Sequence, residues 1–174
     1  DKTVVKTALK VNGLAFKYAS RDLRNNKDFI ISSIKQKGTS MSGFALKYVG
    51  VGLKNDKQVV LEAVRKSPLA LQFASEEMRN DKDVAIMAIK QDERAFEFVS
   101  KELLADKNFV LIALKSTGYI IKYMSEELRH DKELVLKIVE EKPYAYEFVP
   151  EIYQDDKDVT LKAVACKELM LQFA

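Results

Sequence analysis

The chain has 174 residues, 47% apolar and 32% charged, with 29 Lys and Arg against 26 Asp and Glu. This composition excludes long disordered stretches, and a net charge of +3 excludes a strongly basic nucleic-acid binder. The single Cys166 and single His130 exclude an internal disulfide and leave too few ligands for a structural zinc site; a lone cysteine fits a reducing compartment.

Taken in chain order, the sequence repeats itself. Asp-Lys pairs stand at Asp1-Lys2, Asp56-Lys57, Asp81-Lys82, Asp106-Lys107, Asp131-Lys132 and Asp156-Lys157, with Asn26-Lys27 as a variant. From Asp56 onward the starts rise by 25 residues, so the chain divides into units 1–25, 26–55, 56–80, 81–105, 106–130, 131–155 and a truncated 156–174. Tyr18, Tyr48, Phe73, Phe98, Tyr123, Phe148 and Phe173 form one aromatic column. Ser20, Ser75, Ser100 and Ser125 follow it by two residues, with Gly50 and Pro150 as replacements.

Each unit predicts a helix, a break, a second helix and a short helical turn. In 56–80, Asp56 is an N-cap and Val59, Val60, Ala63 and Val64 form a helical stripe. Ser67-Pro68 ends that helix, because proline lacks the N–H and restricts the residue before it. Leu69, Ala70, Phe73 and Ala74 form a second stripe, and Ser75-Glu76-Glu77 opens a fresh N-terminus. The expected fold is all-α, an α-solenoid of about seven 25-residue helix-turn-helix repeats, in which stacked units share one core. The apolar end at Leu169-Met170-Leu171 reads as a cut through a longer array.

The recurring Asp-Lys-x-Val-Val-x-x-Ala-Val and Ala-x-x-Phe-Ala-Ser-x-Glu-Leu-Arg-Asn patterns resemble the tandem repeats grouped as domain of unknown function 4116, across essentially the whole chain. The resemblance implies a part of a larger bacterial or protist protein, in some cases a secreted effector of an intracellular pathogen. It transfers no catalytic residue. The second unit departs from the pattern by five extra residues, and the sixth by Pro150-Glu151-Ile152-Tyr153.

The Asp column reads as helix caps, with an acidic strip as the alternative. The Lys column reads as first-turn residues with solvated heads, or as a cation ladder for an acidic partner. The aromatic column reads as core. The irregular places are the candidate sites. The insertion near Gly38–Gly43 lies in a segment, between Phe29 and Asn55, without Asp or Glu, which carries Lys35, Lys37, Lys47 and Lys54 and could hold a phosphate or acidic peptide. Arg94, Tyr119 and Tyr144 share the first apolar position of the second helix, where Leu14 and Leu69 stand elsewhere, and read as half-exposed partner anchors. His130 reads as a turn residue and Cys166 as an incidental thiol, so no catalytic residue, cofactor or metal is expected.

The leading expectation is a non-catalytic helical repeat scaffold that binds a protein or peptide. The alternatives are a structural spacer within a larger protein, and phosphate or nucleic-acid binding through the basic second unit. No apolar run approaches the roughly 20 residues of a spanning helix. The expected place is the cytoplasm, or a host's cytoplasm for a piece of an effector.

Overall fold

The structure is a computed structural model and describes residues 2–35 and 40–171. Among these residues every regular element is helical. The chain forms two compact units, Asp1–Ser100 and Lys101–Ala174.

In the first unit, the leading helices are Lys2–Val11, Lys27–Ile34, Lys57–Lys66 and Lys82–Gln91. Each is followed by a 3₁₀ helix: Gly13–Tyr18, Ser40–Tyr48, Pro68–Phe73 and Glu93–Phe98. Four-residue helices, Arg21–Arg24, Val51–Lys54 and Glu76–Arg79, close the first three repeats. The second unit opens on such a helix, Lys101–Leu104, and continues with leading helices Lys107–Leu114 and Lys132–Glu141. Ile120–Tyr123 and the 3₁₀ helix Pro143–Phe148 follow these, then Glu126–Arg129 and Glu151–Gln154. The last helix, Lys157–Leu171, runs 15 residues without a break.

The repeat is thus three helical pieces, and the sequence explains each join. Asp56, Asp81, Asp106 and Asp131 cap the leading helices by accepting backbone N–H groups of the first turn, as Asn26 does. Four leading helices end just before one repeat position, at Val11, Lys66, Gln91 and Glu141, and Lys107–Leu114 stops short of it. Asn12 and Asp92 accept from the N–H two residues on, and so does the Thr117 hydroxyl; Pro68 and Pro143 simply cannot continue the helix. In 56–80, seven residues separate Ser67 from Ser75, which caps the four-residue helix, and the six of Pro68–Phe73 settle as 3₁₀.

The core is a ladder of the same four positions. Val59, Val60, Ala63 and Val64 are fully buried, as are Phe109, Val110, Ala113 and Leu114 in the second unit. In the first unit the leading helices of consecutive repeats pack on one another, as do the 3₁₀ helices, and in the second unit Lys132–Glu141 packs on Lys157–Leu171. Small residues make the approach close. A Cβ on Gly43 would lie 2.3 Å from the Ala63 carbonyl oxygen, and one on Gly118 2.7 Å from Lys142 Cβ.

Candidate functional site

Two sets of bonds join consecutive repeats within the units. The first is ionic. Lys27 Nζ lies 2.7 Å from the Asp56 carboxylate, and Lys57 lies 2.8 Å from Asp81 and 2.7 Å from Asp83. In the second unit Lys107 reaches Asp131 at 2.5 Å, and Lys132 reaches Asp156 at 2.7 Å and Asp158 at 3.0 Å. Each cation is held by the cap of the following leading helix. Partial desolvation pushes the Asp81 carboxyl up, but the Lys57 ammonium and the Val84 N–H outweigh it and hold the group below its usual range. For Asp131 the Lys107 hydrogen bond is the main cause of the same depression. These paired lysines are raised, chiefly by hydrogen bonds to Asp81 and Asp131. The Lys column is therefore neither solvated spare charge nor a ladder awaiting a partner at these positions.

The second set is at the four-residue helices. The N–H groups of Gly50, Ser75 and Ser100 donate to the carbonyls of Arg24, Lys54 and Arg79, and that of Ser125 to Leu104. The Ser75 and Ser100 hydroxyls also donate to the carboxamide oxygens of Asn55 and Asn80. Pro150 has no N–H to give, and the Tyr153 hydroxyl donates to the His130 carbonyl instead.

The aromatic column is not core, which corrects the sequence reading. Tyr18 is 79% exposed, and Tyr48, Phe73, Phe98, Tyr123 and Phe148 are half-buried. The buried column stands two residues earlier, at Phe16, Leu46, Leu71, Phe96 and Ile121. A 3.6-residue period puts Leu69 and Phe73 on one inner face. With three residues per turn the inner pair becomes Leu71 and Ala74, and the aromatic turns outward.

The outward aromatics join the position that carries Arg94, Tyr119 and Tyr144. Phe44 packs edge-on against Phe73 at 5.9 Å between ring centres. Tyr119 lies 5.4 Å from both Tyr144 and Phe148. Lysines cover these rings: Lys17 over Tyr18, Lys47 over Tyr48 and Phe73, and Lys122 over Tyr119 and Phe148. Tyr144 is exposed, yet its hydroxyl is engaged by the Gly118 N–H at 2.7 Å. Arg94 is exposed too, with Nε and Nη2 clamped on the Asp92 carboxylate at 3.0 and 2.7 Å.

Of the basic segment, Lys35 pairs with Glu62 at 3.2 Å, Lys47 lies on the aromatic rings, and Lys54 is half-buried. Lys37 and Phe173 lie outside the described residues, as does the Cys166 side chain. His130 ends a four-residue helix, exposed, with Nδ1 2.8 Å from the Glu126 carbonyl oxygen. Among the described residues no three His, Cys, Asp or Glu gather to hold a metal, and no helix is long and apolar enough to cross a membrane.

These features define an all-helical tandem-repeat protein whose repeats are bound by a shared set of caps. The chain belongs to the family described as domain of unknown function (DUF4116), which matches residues 1–42, 40–79, 56–104, 81–129, 106–154 and 131–174. The last four matches begin 25 residues apart, in register with the Asp caps. No curated protein and no solved structure matches the chain.

Proposed function

We propose that the chain is a non-catalytic scaffold, an α-solenoid of about seven repeats, that binds a protein or peptide along the outward face of its 3₁₀ helices. The observation that carries this reading is the aromatic column standing half out of the surface, with Phe44 and Phe73 paired in the first unit and Tyr119 and Phe148 in the second. Half-buried Tyr and Phe offer apolar area at little entropic cost, and with Arg they dominate the energetics of protein interfaces. Their hold within the fold keeps them ordered before a partner arrives.

The test is selection from a random-peptide display library against the whole chain. Selected peptides should lose at least about tenfold in affinity, roughly 1.4 kcal/mol, with Phe73→Ala or with Arg94, Tyr119 and Tyr144 all changed to Ala. Peptides that bind these variants as tightly as the parent would refute the choice of face. The spacer reading draws support from the ionic ladder, which stiffens one repeat against the next; it anticipates that no peptide is selected at all.

A further inference from the structure

A notch of about 430 Å³ opens between the first two four-residue helices, lined by Arg21, Arg24, Asn25, Tyr48, Gly50 and Val51. It differs from its counterparts at one side chain. Ser75 and Ser100 close on the carboxamides of Asn55 and Asn80, whereas the matching residue over Asn25 is Gly50. A Cβ there would stand 1.8 Å from Asn25 Oδ1, so the Asn25 carboxamide takes the place of the serine side chain, with its Nδ2 donating to the Arg21 carbonyl.

The notch differs in charge from its counterparts. Arg24 and Arg79 hold the same repeat position, and both bury an Nε that has no hydrogen-bond partner. Arg79 is answered three residues earlier by Glu76. In the first repeat that place is Arg21, a second cation, and in the second repeat it is Val51. Asp22 is exposed and does not line the notch. The corresponding notch of the second compact unit, beside Pro150, sets Lys122 and Arg129 against Glu147 and Glu151. The first notch therefore carries two guanidinium groups with no carboxylate on its wall.

We infer that this notch is a subsite for a phosphomonoester, carried on the peptide that docks along the aromatic face; the inference rests on that docking reading, since Tyr48 belongs to both. Guanidinium groups present paired donors at the spacing of phosphate oxygens. A phosphomonoester is close to a dianion above its second pKa of about 6, so it matches two cations where a single carboxylate leaves one unanswered.

The test is an NMR titration of the whole chain with inorganic phosphate, phenyl phosphate and acetate, following the Arg24 Nε–H and the Gly50 amide. Both phosphates should give saturable shifts, about tenfold or more tighter than acetate, and tighter at pH 7.5 than at pH 5.5. Arg21→Gln, at an exposed position, should weaken them by about tenfold with the rest of the spectrum unchanged, and Arg24→Gln should do the same. Shifts that do not saturate, that acetate matches, or that survive both variants overturn the subsite. Phe73→Ala lies outside the notch and separates the two readings, because it should spare phosphate binding while peptide docking is lost. A selected peptide that gains nothing from a phosphoserine overturns the link to the peptide, even where free phosphate binds.

Discussion

Asp81 does two things with its two oxygens. Oδ1 accepts from the N–H groups of Asp83 and Val84, and Oδ2 meets Lys57 of the preceding repeat. Asp81→Ala should therefore cost about 0.5–2 kcal/mol for the cap, read by urea unfolding. Asp81→Asn keeps an acceptor for the cap and loses only the charge, so its loss should stay below about 1 kcal/mol. The pH dependence follows from the same carboxyls. Their folded pKa values lie below the unfolded ones, so the stability they add is present above the ordinary carboxyl pKa and is lost as pH falls through the depressed value. The raised lysines act in the opposite sense, adding stability below the ordinary lysine pKa and losing it as pH rises through the raised one. Thermal melts should thus peak in the broad interval between, and Asp131→Asn should flatten the acid side. Gly43→Ala tests the close approach to Ala63, where backbone must move; a loss of about 1–3 kcal/mol is the expected result. The caps were readable from residue type, since Asp and Ser before an apolar run have few other uses. The partner of each lysine was not, because it lies 24 residues on at Lys107 and 29 at Lys27, and only packed repeats bring the two together.

At the scale of the element, one position decides how many helices a repeat contains. Asn12, Ser67, Asp92, Thr117 and Lys142 stand there, each a short polar residue or followed by proline. In the last repeat it is Lys167 followed by Glu168, and Lys157–Leu171 runs straight through. Lys167→Asn with Glu168→Pro should end that helix near residue 166, read as loss of helical Cα chemical shifts over 167–171. The leading helices and their breaks were legible because the 3.6-residue stripe and the breakers agree. The 3₁₀ stretch was misread for one reason. A six-residue segment such as Pro68–Phe73 has too few apolar residues to show which period it follows, so the outer aromatic was placed inside. Leu71→Ala should confirm the inner column with a loss of about 2–5 kcal/mol, whereas Phe73→Ala should cost less in stability while acting on docking.

At the scale of the molecule, Lys27, Lys57, Lys107 and Lys132 each reach the cap of the following leading helix, so these joints are of one kind. The second repeat shows it: five extra residues fall between Lys27 and Asp56, yet that pair closes at 2.7 Å like the others. Length can change in loops without disturbing the joint. It can also change by whole periods. Deleting 56–80 would set Lys27 before Asp81, a cap of the same kind, and the ladder would close again; deleting 56–67, a leading helix alone, would remove the helix that packs on both its neighbours and leave its 3₁₀ helix uncovered. Circular dichroism melts of the two kinds of deletion should separate them, the first remaining cooperative and the second not. A gene built this way can lose or duplicate one copy by unequal crossover and still encode a folded product, provided the exchange respects the 25-residue frame. On the docking proposed above, reach along a peptide would then be set by copy number, and recognition by the repeats, such as the one with Gly50 in place of serine, that depart from the common pattern.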